Sequence, residues 1–326
     1  MLAEILASHG RQYLVRALQA PQDMHQAKPD ANNGTGGLAT KEKLAPSQRL
    51  AVTRGRRQDY CVGDHVEIEA IGEDQAVINA LAPRRNLLRR SDHFRQKLLA
   101  ANIDQIGLVL AAEPPFSEPL AVRVSVAASI SSIPLTWLIN KSDRVEALAE
   151  IEPRLKLYRS LGFSMLYLSA RNDLQTVLHT GSLGQWLQGK TSLLLGQSGM
   201  GKSTLINRLV PEADLKTQHW SRALNTGKHT TSFSKCFDLP VGEFKPGSRI
   251  IDSPGFQQFG LVHCSRSEIE HSFPEWAERL GQCKYHNCKH LQEPGCAIQL
   301  AIKQDVIDPH RYAIWQDIVN EQAQGA

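Results

Sequence analysis

The 326-residue chain has no run of about 18 apolar residues that could cross a bilayer as a helix. Its opening stretch, Met1 to Gln19, alternates apolar and polar side chains and lacks the basic end and apolar middle of a secretory leader. A cytoplasmic protein without a membrane partner is expected. Cysteine is scarce: six residues cannot frame a disulfide scaffold in a chain this long, and three of them fall between Cys283 and Cys296. Cys61, Cys236 and Cys264 stand alone and are expected to be small core side chains. An excess of charge of one sign is also missing. With 37 basic and 33 acidic residues the formal net charge is +4, too small to predict nucleic-acid binding by itself. The basic character comes instead in clusters, Arg49, Arg54, Arg56 and Arg57, then Arg84, Arg85, Arg89, Arg90, Arg95 and Lys97, a candidate footprint for RNA.

With 41% hydrophobic residues the chain can bury a large core, and its length suggests two or three domains. The first hundred residues read as about five short strands, Leu2 to Ala7, Gln12 to Ala17, Leu50 to Thr53, Val62 to Ala70 and Gln75 to Leu81, which fits an OB-type β-barrel. Between the second and third, residues 21–46 are polar and Gly-rich and are expected to form a mobile loop. From Asp104 onward, compact apolar runs alternate with helix-compatible stretches. The runs are Ile106 to Ala111, Leu135 to Ile139, Met165 to Leu168, Ser192 to Leu195 and Arg249 to Ile251. That alternation predicts a doubly wound α/β domain with strands buried on both faces. Past residue 262 the chain becomes polar and Cys/His-bearing, then ends in a helix opened by Asp308-Pro309. The expected division is 1–100, 101–262 and 263–326.

Gly196-Gln197-Ser198-Gly199-Met200-Gly201-Lys202-Ser203 matches a phosphate-binding loop between a strand and a helix. Its backbone N–H groups can cradle phosphates, Lys202 can reach the β and γ oxygens, and Ser203 can hold Mg²⁺, with Thr204 in the same turn. The base is read elsewhere. Asn140-Lys141-Ser142-Asp143 ends a strand, and the Asp143 carboxylate can accept two hydrogen bonds from guanine that adenine cannot supply. Ser169-Ala170, at the end of the next strand, suits a backbone contact to guanine O6. GTP is therefore the expected nucleotide, and the base motifs precede the phosphate loop, so the usual order is rotated. Asp252-Ser-Pro-Gly255 follows another strand, with Asp252 expected near Mg²⁺ and the Gly255 N–H at the γ-phosphate. In Gly227-Lys-His-Thr-Thr231, either Thr230 or Thr231 can bind Mg²⁺. Phe256 stands where a water-orienting glutamine is usual, so His229 is the candidate catalytic group beside Lys202. A structural or RNA-contacting histidine is the competing reading of His229.

Cys283, Cys288, His290 and Cys296 supply three thiolates and an imidazole in one short stretch, enough to close one structural Zn²⁺ site; His286 is a rival ligand. Lys284 and Lys289 beside it make RNA a plausible partner.

Taken together, the motifs resemble the circularly permuted, ribosome small-subunit-dependent GTPase A family, the RsgA or YjeQ type. That resemblance implies GTP hydrolysis stimulated by the small ribosomal subunit, late maturation of that subunit, and a barrel and zinc module that bind ribosomal RNA. A monomer is expected. Two functions compete with it: a nucleotide-switched RNA-binding protein with negligible hydrolysis, and an ATP-dependent kinase, which the Asn140 to Asp143 motif weakens. Two stretches depart from the family's pattern, the long polar loop at 21–46 and Ala121 to Ile133, which matches its helix poorly.

Overall fold

A computed structural model of the chain describes residues 1–9, 12–18, 47–55, 59–91, 95–172, 182–215 and 234–324. The expected loop at 21–46, Arg56, Arg57 and the stretch from Gly227 to Thr231 lie outside these residues.

The N-terminal strands β1 (Leu2–His9), β2 (Gln12–Ala17), β3 (Gln48–Thr53), β4 (His65–Ala70) and β5 (Gln75–Leu81) form a five-stranded barrel. Their order is β1-β2-β3-β5-β4, closed by β4 pairing back on β1. Every pair is antiparallel except β3 with β5. Alternate residues point inward, so Ala3, Ile5, Tyr13, Val15, Val66, Ile68, Ala76 and Ile78 make a separate small core. The fourth strand begins three residues later than the apolar run suggests. Gly63 has φ +87°, and a Cβ there would stand 2.1 Å from the Ala101 carbonyl oxygen, so the backbone turns before His65.

Part of the basic cluster serves the fold. Arg84 donates to both carboxylate oxygens of fully buried Asp64 at 2.6 and 2.7 Å, and Asp64 also accepts from the Cys61 N–H. Arg85 pairs with Asp104 at 2.7 Å. Replacing Arg84 by methionine leaves Asp64 buried without its cation. We expect a loss of about 2 kcal/mol, below the usual 3–5 because Arg84 is partly exposed. Urea denaturation of the variant would measure it; an unchanged midpoint would mean that the pair contributes nothing net.

A hairpin, β6 (Leu87–Ser91) and β7 (Gln96–Ala101), follows the barrel in a stretch where the sequence does not predict a strand. Its buried Leu88, Leu99 and Ala100 belong to the large core of the central α/β domain, which the C-terminal part shares. That domain contains β8 (Gln105–Ala111), α1 (Glu118–Ile130), β9 (Leu135–Asn140), α2 (Val145–Ser160), β10 (Ser164–Tyr167), α3 (Ser182–Leu187), β11 (Thr191–Gly196), α4 (Lys202–Leu209), β12 (Lys235–Asp238) and β13 (Arg249–Asp252). The sheet runs β10-β9-β8-β11-β13-β12, parallel except for β12. Both faces are covered, and successive residues divide between them. Leu108, Leu110, Trp137, Ile139, Leu193, Leu195 and Ile251 enter one core, whereas Val109, Leu138, Leu194 and Ile250 enter the other. The stretch that fits the family helix poorly is helical all the same. Ser117 caps α1, Pro119 occupies its first turn, and Leu120, Ala121, Val122, Val124, Val126, Ala127 and Ala128 are buried, so apolar residues take most of the helix's circumference and leave only a narrow polar strip.

Barrel and nucleotide domain share one sheet. The far edge strand β12 pairs with β1 through Ala7 and Lys235, and Lys235 in turn lies opposite Asp252 on β13. Beside that row, buried Glu4 on β1 pairs with Arg249, and Arg16 donates to Asp238 at 2.5 and 3.1 Å.

The C-terminal part has helices α5 (Arg266–His271), α6 (Ala297–Lys303) and α7 (Pro309–Gln324) around a Cys/His group. Asp308 accepts the Arg311 N–H at 2.9 Å, as the Asp-Pro start predicts. Trp276 and Trp315 are fully buried in the same core as Trp137 and Tyr158. Arg311, 1% exposed, is held by Glu275 at 2.5 Å and lies over the rings of Tyr158, Phe163 and Phe273, which joins this part to α2. Among the described residues no helix is long and apolar enough to cross a membrane.

Candidate nucleotide and metal sites

In a parallel sheet the strands' carboxyl ends open on one crevice. Four strands deliver the expected motifs there: β11 ends at Gly196, β9 at Asn140, β13 at Asp252, and Ser169 follows β10 by two residues. One side chain ties three of them together. The Asn140 amide donates to the Met200 carbonyl at 2.9 Å, and its carbonyl oxygen accepts the Ala170 N–H at 2.9 Å. Lys141 adds a second brace, donating to the Gly199 carbonyl at 2.9 Å and to the Glu113 carbonyl at 2.6 Å; burial lowers its pKa. The Ser142 N–H donates to the Leu168 carbonyl at 3.1 Å. Ser169 donates to Asp143 at 2.5 Å and so aims the carboxylate that would read guanine.

The phosphate loop needs its glycines. Gly199 and Gly201 have φ +88° and +89°, and a Cβ on Gly201 would stand 2.2 Å from the Asn140 amide nitrogen. Met200 is buried, and Gln197 spends its side-chain carbonyl on the Ser117 N–H at 2.7 Å, fastening the loop to the start of α1. Nothing in the sequence pointed to that bond. Ser198 is exposed, while Ser203 and Thr204 open α4 half-buried. Lys202, 7% exposed, forms an ion pair with Asp252, 2% exposed. Burial raises the Asp252 pKa against the opposing pull of the Lys202 ammonium. Gly255 is exposed and approaches the loop: a Cβ on it would be 3.6 Å from the Gly196 carbonyl oxygen. Phe256 turns into the core against Phe259, ring centroids 5.4 Å apart, so this position presents no polar group to the crevice. His229, Thr230 and Thr231 lie outside the described residues.

The segment after Gly255 is fastened to the β6–β7 hairpin. The Ser91 N–H donates to the Gly260 carbonyl at 3.0 Å, Arg90 donates to the Gln258 carbonyl at 2.5 Å, and the Ser91 hydroxyl meets His263 Nδ1 at 2.6 Å. Burial and the nearby Arg89 push the His263 pKa down to about 4, so this imidazole is neutral at physiological pH.

A second centre lies in the C-terminal part. One ligand atom from each of Cys283, Cys288, His290 and Cys296 falls within 4.8 Å of all the others. His290 Nδ1 is 3.4 Å from Cys283 Sγ and 3.5 Å from Cys296 Sγ, and those two sulfurs are 3.9 Å apart. Tetrahedral Zn²⁺ with bonds of about 2.3 Å to sulfur and 2.0–2.1 Å to nitrogen requires separations of about 3.5–3.8 Å, which Cys283, His290 and Cys296 match closely, with Cys288 within 4.8 Å as the fourth donor. Backbone N–H groups of His290, Ala297 and Gln299 point at the three sulfurs, as thiolates require. His286 is exposed and outside the group. Cys61, Cys236 and Cys264 are buried; burial holds the Cys236 and Cys264 thiols near 12 and 11 and the Cys61 thiol well above its usual value, so all three are inert.

The Ser169 bond predicts a modest effect. Ser169→Ala removes one hydrogen bond to an exposed carboxylate, which should weaken GDP binding about fivefold, roughly 1 kcal/mol. Titration calorimetry measures this directly, and unchanged affinity would remove Ser169 from the base-reading group.

Residues 81–262 match the family described as RsgA GTPase. The chain is 42% identical to the small ribosomal subunit biogenesis GTPase RsgA of Paraburkholderia phytofirmans over 320 residues, covering 98% of this chain and 93% of the relative. It is 41% identical to the protein of that name from Ralstonia nicotianae, with 98% and 92% covered. Two solved structures share the fold. YjeQ from Thermotoga maritima superposes with a TM-score of 0.65 at 22% identity, covering 99% of this chain and 98% of the other, and YloQ, described as a circularly permuted GTPase, with 0.62 at 21%, covering 100% and 96%.

Proposed function

The chain belongs to the RsgA GTPase family, and on that premise we propose that it hydrolyses GTP to GDP and phosphate during late maturation of the small ribosomal subunit, whose binding stimulates the reaction. The observation that carries the nucleotide part is Asn140, whose one amide group ties the phosphate loop to both guanine motifs. Asp143, aimed by Ser169, takes the guanine N1–H and exocyclic amine, while Lys141 packs along the base. The loop from Gly196 to Ser203 presents its N–H groups to the β and γ phosphates, and Lys202 exchanges its bond to Asp252 for phosphate oxygens. Mg²⁺, when bound, neutralises charge on the transferred phosphoryl group; Ser203, Asp252 and either Thr230 or Thr231 are the residues assigned to hold it. Because Phe256 faces the core, orientation of the attacking water is assigned to His229.

The three proposed units have separate tasks: 1–100 and 263–326 grip ribosomal RNA and 101–262 carries the chemistry, in the cytoplasm. One Zn²⁺ is assigned to Cys283, Cys288, His290 and Cys296, where it would staple the C-terminal loops. Steady-state hydrolysis tests the whole proposal: GTP with and without isolated small subunits, with ATP and large subunits as controls. A slow rate accelerated only by small subunits and only with GTP is expected. A GTP rate indifferent to both subunits would remove the ribosomal part, and a preference for ATP would remove the guanine part.

A further inference from the structure

The four metal-facing side chains come from a short irregular stretch, and an irregular loop does not hold two ligands in place by itself. The Glu293 carboxylate accepts three backbone N–H groups, from Lys289 at 2.8 Å, Leu291 at 2.9 Å and Gln292 at 3.1 Å. These three donors flank His290, so the carboxylate folds the turn that carries Cys288 and His290. Within that turn His290 has φ +57°, a conformation a non-glycine residue keeps only when its surroundings impose it. Its carbonyl is fixed by the Tyr312 hydroxyl at 2.7 Å and the Gln299 amide at 2.9 Å. A second carboxylate faces the ring from the far side. His290 Nδ1 points at the sulfurs, while Nε2 lies 3.9 Å from Glu270, which Arg266 holds at 2.7 Å. Arg266 also donates to the Lys289 carbonyl.

Building on the zinc assignment above, we propose that Glu293 and Glu270 are positioning residues for zinc: Glu293 pre-folds the ligand turn, and Glu270, at 3.9 Å too far for a direct hydrogen bond, favours through its charge the His290 tautomer with its proton on Nε2. Neither is a ligand. Each therefore changes affinity without changing the coordination sphere, the behaviour expected of outer partners of a metal site. The pre-folded turn also lowers the ordering cost that metal binding would otherwise have to meet.

The test compares the full chain with Glu293→Gln and Glu270→Gln, using Co²⁺ titration for ligand geometry and chelator competition for Zn²⁺ affinity. The tetrahedral sulfur-rich Co²⁺ spectrum should keep its shape in both variants while Zn²⁺ affinity falls about 10- to 100-fold. In the zinc-free protein, amide exchange at Lys289, Leu291 and Gln292 should accelerate in Glu293→Gln only. Nucleotide binding serves as the fold check, and if Glu293→Gln does not fold, Glu270→Gln decides alone. Wild-type Zn²⁺ affinity in the folded variants overturns this inference and leaves the zinc assignment standing. A wild-type chain that takes up neither metal overturns both.

Discussion

Replacing Lys202 by alanine should lower kcat/KM for GTP by roughly 10³-fold, about 4 kcal/mol, because a buried, pre-placed cation is lost where negative charge gathers. The same substitution should leave a second signature in the protein without nucleotide. Asp252 is 2% exposed and Lys202 is its ion-pair partner. Burial already lifts its pKa, and removing the ammonium lifts it further. A carboxyl group whose folded pKa is raised stabilises the fold fully below its unfolded value near 4, and that contribution is lost as pH rises through the folded value. The stability deficit of Lys202→Ala relative to the parent should therefore widen between pH 4 and pH 8. Melting temperatures across that range measure it. A constant deficit would mean that Asp252 is not the group left uncompensated, and near-parental hydrolysis would remove Lys202 from the phosphate site.

Cys288→Ala should abolish stoichiometric zinc and unfold the C-terminal loops. Structural zinc contributes on the order of 10 kcal/mol in small isolated modules. Here the effect is shared, because Trp276, Trp315 and Ile318 lie in one core with Trp137 and Leu193. We expect a loss of several kcal/mol for the whole chain, with early proteolysis beyond Cys264. Elemental analysis and limited proteolysis check this, and full zinc content in the variant would refute the ligand assignment.

The parts most legible in the sequence were those whose chemistry restricts residue choice. A loop bent through positive φ at Gly199 and Gly201 needs glycine there, and a tetrahedral zinc site needs sulfur and nitrogen donors close together. The doubly wound sheet was equally readable, since strands buried on both faces, such as Leu193-Leu194-Leu195, admit few polar residues. What stayed hidden depended on contacts between distant segments. The β6–β7 hairpin is short, and its arginines suggest a solvent face, yet Leu88 and Leu99 reach the main core. Helix α1 carries β-branched valines and buries apolar residues over most of its circumference, so neither propensity nor periodicity marks it. Arg84 shows the same limit. Its sequence neighbours suggest RNA, and only the fold reveals Asp64 beneath it. The bond of Gln197 to Ser117 and the role of Glu293 stay hidden because the partners are backbone N–H groups, which leave no trace in side-chain patterns.

The pairing of Ala7 with Lys235 bears on any attempt to study the nucleotide domain alone. With β1 removed, β12 becomes the outer strand of a six-stranded sheet, and its edge loses the neighbour it has at Lys235. An uncovered strand edge recruits other strands, so a chain shortened by its barrel is expected to self-associate through β12. On that expectation the barrel shields this edge of the catalytic part, independently of any RNA it holds.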